Sequence, residues 1–504
     1  YFGNQINCCE MRLLWIIIVI VIQPSVLYSQ GKNHNWLIGY DVGLFDTNVT
    51  STKARLHIDA NNFTIIPQTR KMAFRATQGN ISDENGNLII ASNGCWIANA
   101  NGDTMMNGAG LNTGTLGING WCNNTSGIPW SHGAVVLPFP GSTTIYMLIH
   151  QAETDLFYSL IDITLDGGLG GVVQKNIPLI QDSLSVGIAA CKHGNGRDWW
   201  IFAMRNNSHL VYKVLLTPDT IHSITTQLIN PIIAFGNAGQ PIFSQDGTRF
   251  AFTSGYAGPN ARHDVRIFDF NRCTGNLDSL TYINDLSGGG YGIAFSPNSN
   301  YLFHSTFQRI YQMDLISHIQ DTVAINDGYC YPYPFTCTTF WFMYHAANGK
   351  IYISSGSGVI DMHFINYPDN PGLSCDVQQH AIRLPCYYVR GNVNHPNYYL
   401  GALTGSPCDT LTSLNEITEH DFRISVSPNP SYGNFKVLYL LPQNRKGKLE
   451  VFDVNGRKVY EINLPQWSTM QHVSLPASVA SGVYNCVISS GEKKVNKKIA
   501  LIKE

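Results

Sequence analysis

The chain predicts an all-β protein: a ring of small repeated sheets followed by a separate β-domain. Three observations predict it. Six tight-turn dipeptides recur at an interval of about 50 residues, the signature of a propeller or solenoid: Asn85-Gly86, Pro140-Gly141, Asn195-Gly196, Asp246-Gly247, Asn298-Ser299 and Asn348-Gly349. Each is followed by a β-rich run, at 88–92, 144–149, 199–204, 250–254, 301–306 and 351–355. Only 13% of the 504 residues are charged, about half the usual share, and runs of helix-forming Ala, Glu and Lys are absent.

Taken in order, residues 1–10 carry Cys8 and Cys9 but no initiator, and read as upstream sequence translated from an early start. Met11 and Arg12 then open a positive region, 13–22 is unbroken apolar, and small and polar residues follow to Ser29-Gln30. This predicts a signal peptide over 11–29. The apolar run is about half the length a bilayer span needs, and no later run is longer, so no stable membrane span is expected. A net charge of -2 gives no basic footprint for nucleic acid.

Each turn with its flanking runs predicts a blade of four antiparallel strands. In the fifth unit these are 291–296, 301–306, 309–314 and a looser 322–325; the fourth repeats the pattern at 240–244, 250–254 and 265–270, and the sixth at 341–345, 351–355 and 359–364. Phe243-Ser244-Gln245-Asp246-Gly247 and Phe295-Ser296-Pro297-Asn298 resemble the Ser-Pro-Asp-Gly turn of bacterial secreted β-propellers with WD40-like repeats, over roughly 35–404. A ring must close or leave exposed edges. The stretches 36–44 and 56–66, with 397–403 from the other end, are expected to build a seventh blade from both termini; six blades is the alternative. The propeller is assigned to 30–404.

After Gly405-Ser406-Pro407 a linker runs to residue 423. The chain then reads Val426-Ser427-Pro428-Asn429-Pro430, Gly433-Asn434-Phe435, Asp453-Val454-Asn455-Gly456-Arg457, Ser481-Gly482-Val483-Tyr484 and a final stretch containing Lys497-Lys498. Asn455-Gly456 predicts a type I′ hairpin turn. This order resembles the type A carboxy-terminal sorting domain of the type IX secretion system, over 424–504, with Pro428, Asn429, Pro430, Gly433, Asp453, Gly456, Gly482, Tyr484 and Lys498 as its motif residues. The resemblance implies an immunoglobulin-like β-sandwich. It also implies the secretion machinery and its sortase-like processing enzyme as partners, and a protein secreted from, or held on the outer surface of, a Gram-negative bacterium.

Ten cysteines lie beyond the signal, in a compartment where disulfides persist. Cys486 falls within an alternating strand and reads as a buried free thiol. Cys330 with Cys337, and Cys375 with Cys386, are the nearest pairs and the disulfide candidates. Metal-binding Cys-x-x-Cys spacing is missing, and so are a zinc-protease His pair, a nucleophile elbow, a P-loop and a dinucleotide fingerprint; no metal or cofactor is called for. Asn99-Ala100-Asn101-Gly102-Asp103 hints at a calcium loop but reads better as a turn.

If the recurring turn joins first and second strands, the long connections fall on the opposite face. There, 107–131 brings Trp121 and Trp130, 255–264 brings Tyr256, Arg262 and His263, and 327–340 brings Tyr329, Tyr331 and Tyr333. Aromatic rings among Asn and Gly suit glycan or peptide ligands, while the competing reading has the Tyr-Pro run simply packing its own loop. His132, His193, His304 and His345 lie near inner strands but not in one register. Two functions stay open: a surface binding module, or a propeller hydrolase or lyase acting on extracellular polysaccharide or lactone-type substrates, its catalytic residues unassigned.

Overall fold

The computed structural model describes residues 31–40, 51, 53–112, 114, 120–122, 127–233, 239–256, 262–287, 291–331, 336–390, 393–409, 423–441, 446–465, 470–491 and 493–502. The signal-peptide region lies outside them. Among the described residues no helix is long and apolar enough to cross a membrane.

The six turns are built alike. A backbone bond closes each over three residues: Gly86 N to Asp83 O (3.1 Å), Ser142 N to Phe139 O (3.0 Å), Gly196 N to His193 O (2.9 Å), Gly247 N to Ser244 O (2.9 Å), Ser299 N to Ser296 O (2.9 Å) and Gly349 N to Ala346 O (3.0 Å). The residues Gly86, Gly141, Gly196, Gly247, Ser299 and Gly349 have φ between 60° and 83°, a left-handed conformation that glycine adopts without steric cost. Short polar side chains hold several of the turns. Asp83 Oδ1 accepts from Asn85 N and Asn87 N (2.9 and 2.8 Å), Ser244 Oγ donates to Asp246 (2.6 Å) and Ser296 Oγ to Asn298 (2.7 Å). Asn99 caps its own turn through Asn101 N and Asp103 N, as a plain loop does.

Every one of the six turns joins the first and second strands of a four-stranded antiparallel meander. Sheet one is Gly79–Ser82, Leu88–Ser92, Trp96–Ala98 and Thr104–Ala109; sheet two is Ala134–Pro138, Ile145–Ala152, Asp155–Asp162 and Gly171–Ile180. Their outer strands meet through a single parallel pair, Met106 and Gly171. Sheet three is Ala189–Lys192, Trp199–Met204, Ser208–Leu216 and Ile221–Ile233, and sheet four is Pro241–Phe243, Arg249–Tyr256, Arg262–Phe270 and Leu277–Ser287. Sheet five is Ile293–Phe295, Tyr301–Ser305, Arg309–Asp314 and Gln320–Ile325; sheet six is Met343–His345, Ile351–Ile353, Val359–Ile365 and Val377–Tyr388.

Successive first strands neighbour one another between sheets one and two, three and four, four and five, and five and six. The sheets pack face to face through alternate side chains: Phe202 of sheet three meets Phe243 and Phe250 of sheet four at ring separations of 5.2 Å each. Inside sheet four, Arg266 is fully buried, bonded to Asp264 (2.9 Å), Ser254 Oγ (2.6 Å) and Ile232 O (2.9 Å).

Closure departs from expectation. An entry sheet of Asn35–Ile38, Lys53–Ile58 and Phe63–Gln68 has three strands, all from the amino-terminal side. Its first strand sits between sheets one and six: Asn80 Nδ2 donates to Asn35 O (2.7 Å), and Trp36 meets Tyr344 edge-on at 6.1 Å. Residues 397–403 form no strand of this sheet. Instead the tail after sheet six crosses the axis. Asn394 Nδ2 donates to Ile188 O (2.8 Å), His395 Nε2 meets Asn80 O (3.0 Å) and Tyr398 Oη donates to Val136 O (3.0 Å), so one segment touches the inner edges of sheets one to three. It emerges among the turns, where Asn397 Nδ2 donates to Gln245 O (2.8 Å), Arg272 to Gly401 O (2.5 Å) and Leu403 N to Gly194 O (2.7 Å). Polar groups with backbone partners on several sheets brace the axis; a strand could pair with only one.

Disulfides join Cys95 to Cys122, Cys273 to Cys408 and Cys330 to Cys337. Cys375 and Cys386, expected as a pair, are both free and buried. Cys386 lies near the far end of the strand Val377–Tyr388, which starts just after Cys375; its ends pair with Ile365 and Val359, so at about 3.3 Å per residue of that partner strand they are roughly 20 Å apart, far beyond disulfide reach. Cys486 is free and buried.

The carboxy-terminal segment forms two sheets around their own core: Arg423–Ser427, Asn434–Leu440 and Met470–Ser474, and Lys458–Leu464, Gly447–Phe452, Gly482–Ser490 and Lys493–Leu501 in spatial order. Side-chain burial alternates along Gly482–Ser490, with Tyr484, Cys486 and Ile488 inward. Asn429 clasps the last strand, donating to Lys498 O (3.0 Å) and accepting from Ala500 N (2.9 Å); Tyr484 Oη donates to Ala480 O (2.8 Å). Gly433 and Gly456 take φ of 99° and 77°, while Pro428 and Pro430 follow cis peptide bonds. The Asp453–Arg457 turn is not type I′. That type needs two left-handed residues, but only Gly456 is left-handed here, and Asp453 caps Asn455 N and Arg457 N (3.0 and 2.8 Å).

Candidate functional site at the loop face

Because first strands of sheets one to six run toward the turns, connections between sheets and between second and third strands gather at the other end. We call the two ends the turn face and the loop face. One long connection breaks the pattern: 366–376, with its 3-10 turn Gly372–Cys375, joins third and fourth strands and so lies at the turn face.

Six connections meet on the loop face. Arg75 comes from the link between the entry sheet and sheet one, and its guanidinium lies 5.0 Å from the Trp121 ring. Trp121 in turn is tethered by the neighbouring Cys95–Cys122 disulfide. Arg390, just past sheet six, is tied by its backbone to Ser355 O (3.0 Å) and covers Trp341 at 5.2 Å. Trp341 stacks on Phe307 at 4.8 Å and meets Tyr291 edge-on at 5.4 Å. Burial, then the positive charge of Arg75, lowers the Arg390 pKa below its ordinary value. Burial raises the Tyr40 phenol, against the pull of Arg75.

Below this mouth, a pocket partly open to solvent runs between the tail and the first strands of sheets three to six. His132, Gln240, Tyr344, His345, Asn394 and His395 line it. Gln240 ties neighbouring sheets together, donating to Met343 O (2.5 Å) and accepting from Ile293 N (3.0 Å). Burial holds His132 at a pKa of about 3 and His345 and His395 at about 4, so all three imidazoles are neutral near pH 7. Among the described residues no group of three or more His, Cys, Asp or Glu is arranged to hold a metal.

The sequence-derived candidates separate sharply. Trp121 and Trp130 are half-buried on the loop face, and Tyr329 is exposed, stacked on His380 at 4.6 Å. Tyr331 is buried with its hydroxyl on Asp361, and His263 is buried edge-on against Tyr291 at 5.2 Å; neither can meet a ligand without repacking. Tyr256 and Arg262 end the second and third strands of sheet four as a backbone pair. Tyr333 lies outside the described residues. His193 sits at the turn face, bonded to Cys273 O (3.1 Å), and His304 bonds Gln320 (2.8 Å) inside sheet five, so the four inner-strand histidines do not converge. Sequence reading missed Arg75, Arg390 and His395. Isolated residues in irregular segments carry no periodic signal.

Residues 425–503 match the family described as Secretion system C-terminal sorting domain. This segment is a type IX sorting domain. Such a domain marks proteins secreted to the cell surface or the extracellular space, and it implies the secretion machinery as partner. No curated protein matches the chain. Among solved structures, a candidate 6-phosphogluconolactonase from Bacteroides uniformis is 12% identical, with 71% of this chain and 98% of that chain covered at a TM-score of 0.43. A periplasmic gluconolactonase from Pseudomonas aeruginosa is 10% identical, with 88% and 99% covered at 0.33. The extracellular domain of a candidate hybrid two-component system from B. thetaiotaomicron is 10% identical, with 94% and 57% covered at 0.36.

Proposed function

We propose that the entry sheet and sheets one to six form a seven-bladed β-propeller, exported as cargo by an immunoglobulin-like sorting domain that a sortase-like enzyme then processes. Outside the cell the propeller binds a glycan or protein ligand on its loop face. The observation that carries this is directional: all six repeat turns close at one end, so the aromatic connections at 107–131 and 327–340 gather at the other, where loops on a rigid scaffold serve recognition. The buried positions of Tyr331 and His263 confine the recognition surface to Trp121, Trp130, Tyr329 and their neighbours.

Glycan and peptide arrays probed with the secreted chain test this. Trp121→Ala with Trp130→Ala is expected to lower bound signal about tenfold, since an aromatic contact contributes about 0.5–1.5 kcal/mol per ring beyond its buried area. Glu84→Ala with Thr248→Ala, at the turn face, is expected to leave it unchanged. Loss of signal in the turn-face variant alone would sink the assignment.

A further inference from the structure

Two cations at the loop-face mouth lack a partner among the described residues. Arg75 and Arg390 are both exposed, and each lies over an indole, Trp121 at 5.0 Å and Trp341 at 5.2 Å. A guanidinium drawn to a ring by cation–π attraction keeps its in-plane N–H donors for other partners. Neither side chain has a hydrogen-bond acceptor or a carboxylate partner among the described residues. The two charges also oppose each other, which is part of why the Arg390 pKa is lowered. Like charges held together in a partly desolvated mouth are destabilising unless an anion joins them.

Several features hold the pair where it is. Arg390 is fixed by its backbone bond to Ser355 O (3.0 Å), and Trp341 is clamped between Phe307 and Arg390. Trp121 is anchored beside Cys122, whose disulfide runs to Cys95. The two rings therefore hold the guanidinium groups in place at the mouth.

We infer that Arg75 and Arg390 form an oxyanion-binding site at the loop-face mouth, suited to a carboxylate-bearing oligosaccharide or a phosphate-bearing ligand. This deepens the loop-face binding reading and rests on it. The fork geometry of guanidinium matches both anions, and the half-buried Tyr40 and Trp121 supply apolar surface for a sugar ring.

Titration calorimetry on the secreted chain tests it with three probes: trigalacturonic acid, its neutral methyl ester and inorganic phosphate. The acid is expected to bind at least tenfold tighter than the ester. Arg75→Gln with Arg390→Gln is expected to lose at least tenfold of that affinity, with far-ultraviolet dichroism and melting temperature unchanged because both side chains are exposed. Arg75→Lys with Arg390→Lys is expected to retain part of it. Phosphate binding tighter than the acid, and lost in the same Gln variant, would assign the site to phosphoryl groups. Equal binding of acid and ester, unchanged affinity in the Gln variant, or no saturable binding of either anion overturns the inference. Equal binding of acid and ester, with both abolished by Trp121→Ala, would overturn it while leaving the loop-face reading standing.

Discussion

Acidification from pH 7 to pH 5 is expected to unfold this protein. Burial holds His132 and His263 at about 3, and His150, His304, His345, His363 and His395 at about 4. Unfolded histidines titrate near 6.5. Between those values the unfolded chain binds protons that the folded chain refuses, so stability rises with pH and is lost as pH falls below about 6.5. Each group removes about 1.4 kcal/mol per pH unit in that window, and seven together remove on the order of 10. A total stability of about 5–15 kcal/mol is then exhausted near pH 5. Melting temperature followed from pH 7.5 to 4 checks this, and an unchanged melting temperature at pH 4 would mean that the imidazoles are charged in the folded state.

Loss of the Cys273–Cys408 disulfide is expected to cost more than loss of either of the others. The three bonds close loops of 135, 27 and 7 residues, and loop-closure entropy sets upper values of about 5, 3.6 and 2.4 kcal/mol. The tail's hydrogen bonds to Gln245, Arg272 and Gly194 remain in the folded state, so the effect falls on the unfolded chain. Urea unfolding of Cys408→Ser, Cys122→Ser and Cys337→Ser variants should rank in that order. A smaller loss for Cys408→Ser than for Cys337→Ser would contradict the tail being pinned at the turn face.

The repeat was legible because its signal is local. A left-handed residue after a tight turn requires Gly or a small polar residue, and Gly86, Gly196, Gly247, Ser299 and Gly349 show this in the bare sequence. The sorting domain was legible for a similar reason: Asn429, Asp453 and Gly456 each act through backbone groups a fixed distance away or on the last strand. What failed was long-range. Asn394, His395 and Asn397 have no alternation, so a segment bracing several sheets at the axis looks like any loop. Cys273 finds Cys408 across 135 residues, a pairing that spacing cannot deduce. Tyr331 looked like a ligand platform because an aromatic in an irregular segment looks the same whether it faces solvent or, as here, reaches inward to Asp361. The mouth pairs Arg75 with Trp121 and Arg390 with Trp341 through connections distant in the chain, so only the fold brings them together.

We propose that the carboxy-terminal domain carries a folded, disulfide-braced propeller out of the cell. The direct measurement is fractionation of a bacterium that possesses a type IX system, expressing either the full chain or the chain ended at residue 409. The full chain is expected at the cell surface or in the medium, with Cys273 and Cys408 joined, and the shortened chain is expected to stay in the periplasm with the same disulfide. A shortened chain that reaches the surface as efficiently as the full one would contradict the claim.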